Sequence, residues 1–327
     1  MGQDRDLTNR VICITGASAG IGRATALACA RAGMDVVVSA RREDRLVEVA
    51  MEIGKIGRRA LAVVADVGDD ESVNRLIERS HQHFGRLDAV LANAGYGIEG
   101  NELDLSDETV RQIFEVNFFG SLRVMRAAIP IFREQGHGHL LMTSSCLARF
   151  PLPYYGHYAA TKAAQSQIGL ALRLELRPEN IHVSTVYPIT TVTEFFDVVA
   201  EQSQLPKGGI LDHAPKFFVQ PADRVADAIV KCLRRPRAEV WTSQIVRLSA
   251  GLMNVWPWLY DRVMRNQAAR RRLVLTEPAV HDQDNSQETS FSPTSPGAPA
   301  ATVSSSGEPT VGTDETENSA VISSRLS

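Results

Sequence analysis

Six short apolar runs, separated by helix-length stretches, restrict the folds open to this chain. They are VICIT (11–15), VVVSA (36–40), ALAVVA (60–65), AVLANA (89–94), HLLMTSS (139–145) and HVSTVYP (182–188). Each is rich in Val, Leu or Ile and shows no steady polar alternation, which is the pattern of a strand covered on both faces. The stretches between them, such as 69–84 and 107–134, have the length of amphipathic helices. Strands that alternate with helices pair in parallel, because each crossover helix carries the chain back to the same edge. The expected fold is therefore α/β, a doubly wound parallel sheet with helices on both faces. Residues 222–233 predict a further helix and 239–242 a last strand.

The rhythm breaks over 189–220, where Phe195, Phe196, Pro206, Gly208, Gly209 and Pro215 fall together. An insertion of that length inside a domain predicts a functional lid or a disordered loop. Residues 244–275 predict helix, carrying VWPWLY and then ARRRL. From Glu277 the composition turns to Ser, Thr, Pro, Gly and acids, the signature of disorder. The expected organisation is one domain over 1–245 with a substrate lid at 189–220. A C-terminal helical extension follows over 246–276, then a disordered acidic tail over 277–327.

Charge and cysteine usage narrow the class. The net charge of −3 divides into −7 on residues 277–327 and +4 on the rest. That body is not basic enough to argue for nucleic acid. Cys13, Cys29, Cys146 and Cys232 form no CxxC pair, and no His/Cys spacing suggests a metal site. Scattered cysteines in apolar segments fit a reducing compartment, so the expected location is cytoplasmic. The first apolar run starts at Val11, which leaves no room for a signal peptide. No run reaches the roughly 18 apolar residues of a membrane span.

TGASAGIG (15–22) follows the first strand and opens a helix. Its glycines are Gly16, Gly20 and Gly22, spaced G-x3-G-x-G rather than G-x-G-x-x-G, and no Lys-Ser/Thr follows as in a Walker loop. The physics is shared with those loops. Glycine lets the backbone approach a pyrophosphate, and the helix N-terminus supplies free N–H groups. The second strand ends VVVSARRED, with Ala40 where a carboxylate would hold the ribose hydroxyls of NAD. Arg41 and Arg42 follow, and an arginine there suits a 2′-phosphate through a bidentate contact. The alternative is a surface arginine pair at a helix start.

PYYGHYAATKAA (153–164) holds Tyr154, Tyr155, Tyr158, His157 and Lys162. Lowering a phenol from a pKa of about 10 to near 7 needs roughly 4 kcal/mol of help. In a helix, residues four apart share a face, so only Tyr158 stands one turn from Lys162. Tyr154 and Tyr155 fall in the approach loop, and His157 reads as a surface or packing residue. An i,i+4 Tyr/Lys pair is commonplace by itself.

The combination is not commonplace. TGASAGIG, NAG (93–95), Asn117 in EVNFFG, Ser144-Ser145 and YAATK resemble, in order and spacing, the classical short-chain dehydrogenase/reductases. The likeness covers about residues 8–245. It implies a Rossmann-type fold and NADP(H)-dependent interconversion of a carbonyl and an alcohol. Tyr158 would be the general acid/base, and Lys162 would lower its pKa and hold the nicotinamide ribose. Ser145 would hydrogen-bond the substrate oxygen, and Asn117 would anchor a water in the proton relay. Ser144 reads as a satisfied strand-end hydroxyl.

The resemblance also implies cofactor contacts from Gly16, Ser18, Gly20, Ile21, Gly22, Asp66, Val67, Asn93, Ala94, Gly95, Pro188 and Thr193, beside Arg41 and Arg42. It departs from the family at Ile189, where Pro-Gly is usual, which bears on substrate fit. Phe150, Leu152, Tyr155, Ile189, Phe195 and Phe196 are the expected pocket wall, suited to an apolar small-molecule substrate. A homodimer or homotetramer is the family default. Trp256, Trp258 and Tyr260 beside Arg262, Arg265 and Arg270–Arg272 fit a membrane-surface contact, a cap over the pocket, or a helix packed on the body or a partner subunit. Another reading of the whole chain is a nucleotide sensor or scaffold that keeps the fold without turnover.

Overall fold

The computed structural model describes residues 4–203 and 218–276, the side chains to residue 269. The tail expected from residue 277, and the middle of the expected lid, lie outside the described residues. The chain runs β1 (Val11–Thr15), α1 (Gly20–Arg31), β2 (Asp35–Ala40), α2 (Glu43–Lys55), β3 (Ala60–Val64), α3 (Asp70–Phe84) and β4 (Ala89–Ala92). Then come α4 (Asp107–Phe114), a π-helical turn (Glu115–Phe119), α5 (Gly120–Gln135), β5 (Gly138–Thr143), α6 (Gly156–Glu175) and β6 (Ile181–Tyr187). The last part holds β7 (Thr190–Val192), α7 (Phe195–Gln202), β8 (Val219–Pro221), α8 (Ala222–Arg234), β9 (Glu239–Trp241), α9 (Gln244–Val255) and α10 (Pro257–Thr276).

Seven strands form one sheet in the order β3-β2-β1-β4-β5-β6-β9, every pair parallel. This is the doubly wound arrangement that the apolar runs predict. Alternate strand residues feed two separate cores. Ile12, Ile14, Val36 and Val38 pack with Ala26 and Cys29 of α1, Leu46 and Ile53 of α2, and Val225 and Ile229 of α8. Val11, Cys13, Val37 and Val90 face the other way, onto Val73 and Leu76 of α3 and Val124, Ala128 and Phe132 of α5. Burial on both faces explains why these strands lack polar alternation.

Several boundaries differ from the sequence reading. The run 139–145 stops being strand at Thr143, which releases Ser144 and Ser145 from the ladder. The helix expected over 107–134 is divided by the π-turn that carries Asn117. The helix expected over 244–275 breaks at Trp256, and Pro257 opens the next one, a position where its missing N–H costs nothing. Within 189–220 the chain forms β7, α7 and β8, with β7 and β8 paired in parallel as a small separate sheet. Among the described residues no helix is long and apolar enough to cross a membrane.

Two buried carboxylates lock the N-terminal edge of the sheet. Asp35 Oδ1 accepts from Arg58 at 2.7 Å, and Oδ2 accepts from Arg59 Nε at 2.9 Å. Asp88 accepts from the Val11 N–H at 2.9 Å, from Arg86 at 2.6 and 2.7 Å and from Arg10 at 3.1 Å. Burial pushes the Asp88 carboxyl up, but the bonds from Arg86, Val11 and His137 outweigh it and hold the group below its ordinary value. Its contribution is therefore full above the ordinary aspartate range and lost as pH falls through the depressed value. Asp88→Ala strands the buried Val11 N–H and should cost about 3 kcal/mol in urea unfolding at neutral pH. The gap to the wild type should narrow on acidification, and an unchanged gap would show that the carboxylate is not what stabilises the edge.

Candidate active site

Strand order reverses between β1 and β4, and there the C-terminal ends of the strands open a cleft. Thr15, at the end of β1, splices the two sides. Its Oγ accepts from the N–H groups of Asn93 at 3.1 Å and Ala94 at 3.2 Å. The Asn93 amide donates back to the Thr15 carbonyl at 3.1 Å, and Asn93 Oδ1 accepts from Thr143 Oγ at 3.1 Å. The ends of β1, β4 and β5 are thus held by three side chains.

The glycine turn lies on this splice. Gly16 adopts φ +65°, and a Cβ there would stand 2.9 Å from the Ala94 Cα. A Cβ on Gly22 would come within 2.2 Å of the Gly16 carbonyl, so only glycine lets the helix start fold back under the turn. Helix α1 has Ala19 at its N-terminal cap, with no side-chain capping bond and no acid in its first turn. Its first N–H groups, with the partial positive charge of the helix end, are therefore aimed at the cleft beside Ser18, Gly20 and Ile21. This cradle fits a pyrophosphate.

The cleft encloses about 810 Å³. Gly16, Ser18, Gly20, Ile21, Arg41, Arg42, Asp66, Val67, Asn93, Ala94, Gly95, Ser145, Tyr158, Lys162, Pro188 and Thr193 all line it. Two of the expected catalytic and cofactor residues do not. Gly22 sits behind the turn, as its contact with the Gly16 carbonyl requires. Asn117 is fully buried one layer back. Its side chain accepts from the Tyr96 N–H at 2.9 Å and donates to the Tyr96 carbonyl at 2.9 Å and to Thr161 Oγ at 3.1 Å. The π-turn delivers this asparagine into the loop after β4, a placement π-helical turns often serve at functional sites.

The two arginines after β2 differ. Arg42 donates to Ser18 Oγ and to Glu194 Oε2, each at 3.1 Å, bridging the glycine turn to the chain leading into α7. Arg41 is exposed at the cleft; burial pushes the nearby Tyr96 phenol up, and the Arg41 charge opposes this in part. Asp66 uses Oδ1 to accept from the Gly68 N–H at 2.8 Å, fixing the turn after β3.

At the inner end of the cleft, α6 places Tyr158 and Lys162 on one face. The Lys162 Nζ lies 5.6 Å from the centre of the Tyr158 ring and donates to the Thr143 carbonyl at 2.9 Å. Ser145 lines the cleft beside Tyr158, where its hydroxyl acts on the ionisation of the phenol, and its Oγ accepts from the Leu147 N–H at 3.1 Å. Ser144 instead donates to the Lys162 carbonyl at 2.7 Å, a structural tie between β5 and α6. Lys162 is buried, and burial pulls its ammonium down to about 7. Burial pushes the Tyr158 phenol above its ordinary value, the Ser145 hydroxyl opposes this, and Cys146 adds to the upward push. The phenol therefore moves in the direction opposite to that expected from a charged lysine one turn away. Desolvation wins over the pair's attraction because both groups leave water together.

The neighbouring groups are engaged elsewhere. Tyr155 is buried and its hydroxyl donates to Glu99 at 2.5 Å. His157 Nε2 bonds the Glu102 carbonyl at 2.9 Å, while the Glu102 carboxylate accepts from the first N–H groups of α6, at Gly156 and His157. Burial pushes the Cys146 thiol up to about 12, so it remains protonated. Leu152, Tyr155, Ile189, Phe195 and Phe196 line the apolar end of the cleft, with Phe218. Phe150 does not. It packs behind the wall, edge-on to Phe218 with ring centres 6.4 Å apart. Phe195 lies over Tyr158, their ring centres 5.6 Å apart. Thr15, Thr143, Glu102 and Glu194 were not singled out from the sequence. Thr15 stands at the head of the glycine motif, whereas the other three carry no local signal.

The short chain dehydrogenase family model matches residues 10–204. The uncharacterized oxidoreductase YxnA of Bacillus subtilis is 31% identical over 266 residues, which span 80% of this chain and 72% of that protein. An alcohol dehydrogenase from the archaeon Thermococcus sibiricus, solved with 5-hydroxy-NADP, is 31% identical with a TM-score of 0.61, covering 71% of this chain and 95% of its own. A 3-ketoacyl-(acyl-carrier-protein) reductase from Brucella melitensis, solved with NADH, is 29% identical with a TM-score of 0.64, covering 72% and 97%. The cradle at the switch point and the hydroxyl pair beyond it have the same meaning as these matches: the chain belongs to the short-chain dehydrogenase family, an oxidoreductase that uses a nicotinamide nucleotide.

Proposed function

We propose that the protein is an NADP(H)-dependent carbonyl reductase, interconverting a ketone or aldehyde and its alcohol on an apolar small molecule. The observation that carries this reading is that Tyr158, Ser145 and the buried Lys162 line one end of the same cleft, with the Lys162 Nζ 5.6 Å from the centre of the Tyr158 ring. When bound, the nicotinamide gives or takes a hydride at the reacting carbon. Tyr158 donates its proton to the carbonyl oxygen in reduction and takes it back in oxidation. Ser145 hydrogen-bonds the same oxygen as charge develops on it. Lys162, anchored on the Thr143 carbonyl, faces the ribose side of the cleft and titrates near neutral pH, which suits it to pass a proton toward Tyr158. A phenol that rests protonated favours reduction. Asn117 acts as a positioning residue that fixes the loop of Gly95 and Tyr96. Leu152, Ile189, Phe195 and Phe196 give the substrate end its apolar character.

The nucleotide preference rests on Arg41, since relatives solved with NADP-type and NAD-type ligands both resemble this chain. Ala40 occupies the end of β2 where a carboxylate would hold the ribose hydroxyls, and the exposed Arg41 lines the cleft, with no ion pair among the described residues, in a position suited to a 2′-phosphate. We assign the family's homodimer or homotetramer contact to the α4–α5 helix, which exposes Phe119 beside the π-turn. Four free, buried cysteines suit a reducing, cytoplasmic setting.

Tyr158→Phe should lower kcat on a panel of ketones and aldehydes by about a thousandfold, while Kd for NADPH changes by less than about threefold. Retained turnover would overturn the mechanism, and NADPH binding by a wild type inert on the panel would favour the sensor reading. Arg41→Ala should weaken NADPH about tenfold or more and leave NADH nearly unchanged, measured by fluorescence titration. Equal losses would remove Arg41 from 2′-phosphate recognition.

The buried lysine also makes a prediction for the ligand-free protein. Its folded value of about 7 lies below its ordinary 10.5, so between these the unfolded chain holds a proton that the folded one lacks. Stability must then rise with pH. Between about pH 7 and pH 9 the wild type should gain about 2 kcal/mol relative to Lys162→Met in urea unfolding. Parallel pH profiles would show that Lys162 stays charged in the fold.

A further inference from the structure

Helix α9 is apolar on two opposite faces. Val246 and Ala250 are buried and, with Met264 of α10, pack against Cys146, Phe150 and Ile189. Ile245, Leu248, Leu252 and Val255 lie three, four and three residues apart, which places them on one stripe turned away from that core. Their exposures are 72%, 70%, 46% and 67%. Trp256 and Trp258, at the break between the helices, continue the patch with 48% and 63% exposed. One turn and two turns beyond Trp258 come Arg262 and Arg265, both exposed on the same face of α10. A solvated helix face would carry polar side chains where these leucines, isoleucine, valine and tryptophans stand.

Charge selects the occupant. Residues 244–276 contain six arginines and a single acid, Asp261. A second copy of the chain docked on this face by two-fold symmetry would bring the same cationic surface against itself. An anionic lipid surface supplies the opposite charge, accepts a shallow apolar stripe, and favours tryptophan at the boundary between headgroups and acyl chains. Neither helix is apolar enough to span.

We propose that α9 and α10 form an in-plane membrane-docking surface, the Ile245–Leu248–Leu252–Val255 stripe and the two tryptophans entering the interface of an anionic leaflet while Arg262 and Arg265 meet lipid phosphates. The proposal stands apart from the catalytic reading, because none of these side chains lines the cleft.

The full chain, with its acidic segment after residue 277 in place, is the stringent form to test, since that segment opposes attraction to anionic lipid. Sedimentation should recover it with phosphatidylserine–phosphatidylcholine vesicles, with binding falling at least about tenfold on pure phosphatidylcholine and again in high salt. Leu248→Ser/Trp258→Ser should abolish binding, and Arg262→Glu/Arg265→Glu should weaken it about tenfold or more with NADPH affinity unchanged. The second pair changes only exposed charges, so it reports even if the first impairs folding by circular dichroism. Absence of binding to either vesicle would overturn the proposal. So would a wild type whose oligomer dissociates in Leu248→Ser/Trp258→Ser without any vesicle binding, which would assign the face to a second copy.

Discussion

A threonine hydroxyl shared by two backbone N–H groups is the contact on which the cleft depends. Parallel strands end with their polar groups pointing the same way, and at the switch point the β1–β4 ladder runs only to Ile14 and Leu91, leaving the residues beyond it to be joined by side chains. Thr15 and Asn93 make that join, and Thr143 extends it to β5. The glycine turn and the chain after β4 then sit so close that a methyl group at position 16 would touch the Ala94 backbone. The same Thr143 gives its carbonyl to Lys162. One run of hydrogen bonds thus reaches from the phosphate end of the cleft to the proposed proton-transfer end.

That second end is electrostatically costly. A phenol and an ammonium are both taken from water, and both move away from their charged forms. Packing and backbone bonds hold this arrangement: Ser144 ties β5 to the carbonyl of Lys162, and Glu102 caps the start of α6. A cationic ring and a developing alkoxide entering such a site would meet groups that are already desolvated and oriented, so little reorganisation remains for the reacting state. The attraction between Tyr158 and Lys162, which sequence spacing suggests, is subordinate to burial until charge enters the cleft.

The alternation of apolar runs made the sheet legible, because burial on two faces leaves a compositional trace in every strand. The glycine turn and the YAATK helix were legible because their chemistry is local: three glycines in eight residues, and a tyrosine and a lysine one turn apart. What escaped depends on pairings far apart in the chain. Glu102 reaches α6 across more than fifty positions, and Glu194 reaches Arg42 across 152. Asn117 was found by motif but its environment was not, since a π-turn leaves no periodic signal distinct from the α-helices around it. Phe150 was placed one layer too far forward. An aromatic residue beside a site reads the same whether it lines the cavity or supports its wall.

The two edges of the sheet show why the chemistry belongs at one of them. At the N-terminal edge each buried carboxylate has its arginines: Asp35 has Arg58 and Arg59, and Asp88 has Arg86 and Arg10. Those carboxylates are fully engaged within the fold. At the C-terminal edge the buried cation, Lys162, has a backbone carbonyl and, among the described residues, no carboxylate within ion-pair distance. Ser145 and Tyr158 line the cleft there, beside the uncapped start of α1. A fold that engages its buried carboxylates at one edge and leaves hydroxyls and uncapped N–H groups at the other puts the proposed nucleotide site at the second edge.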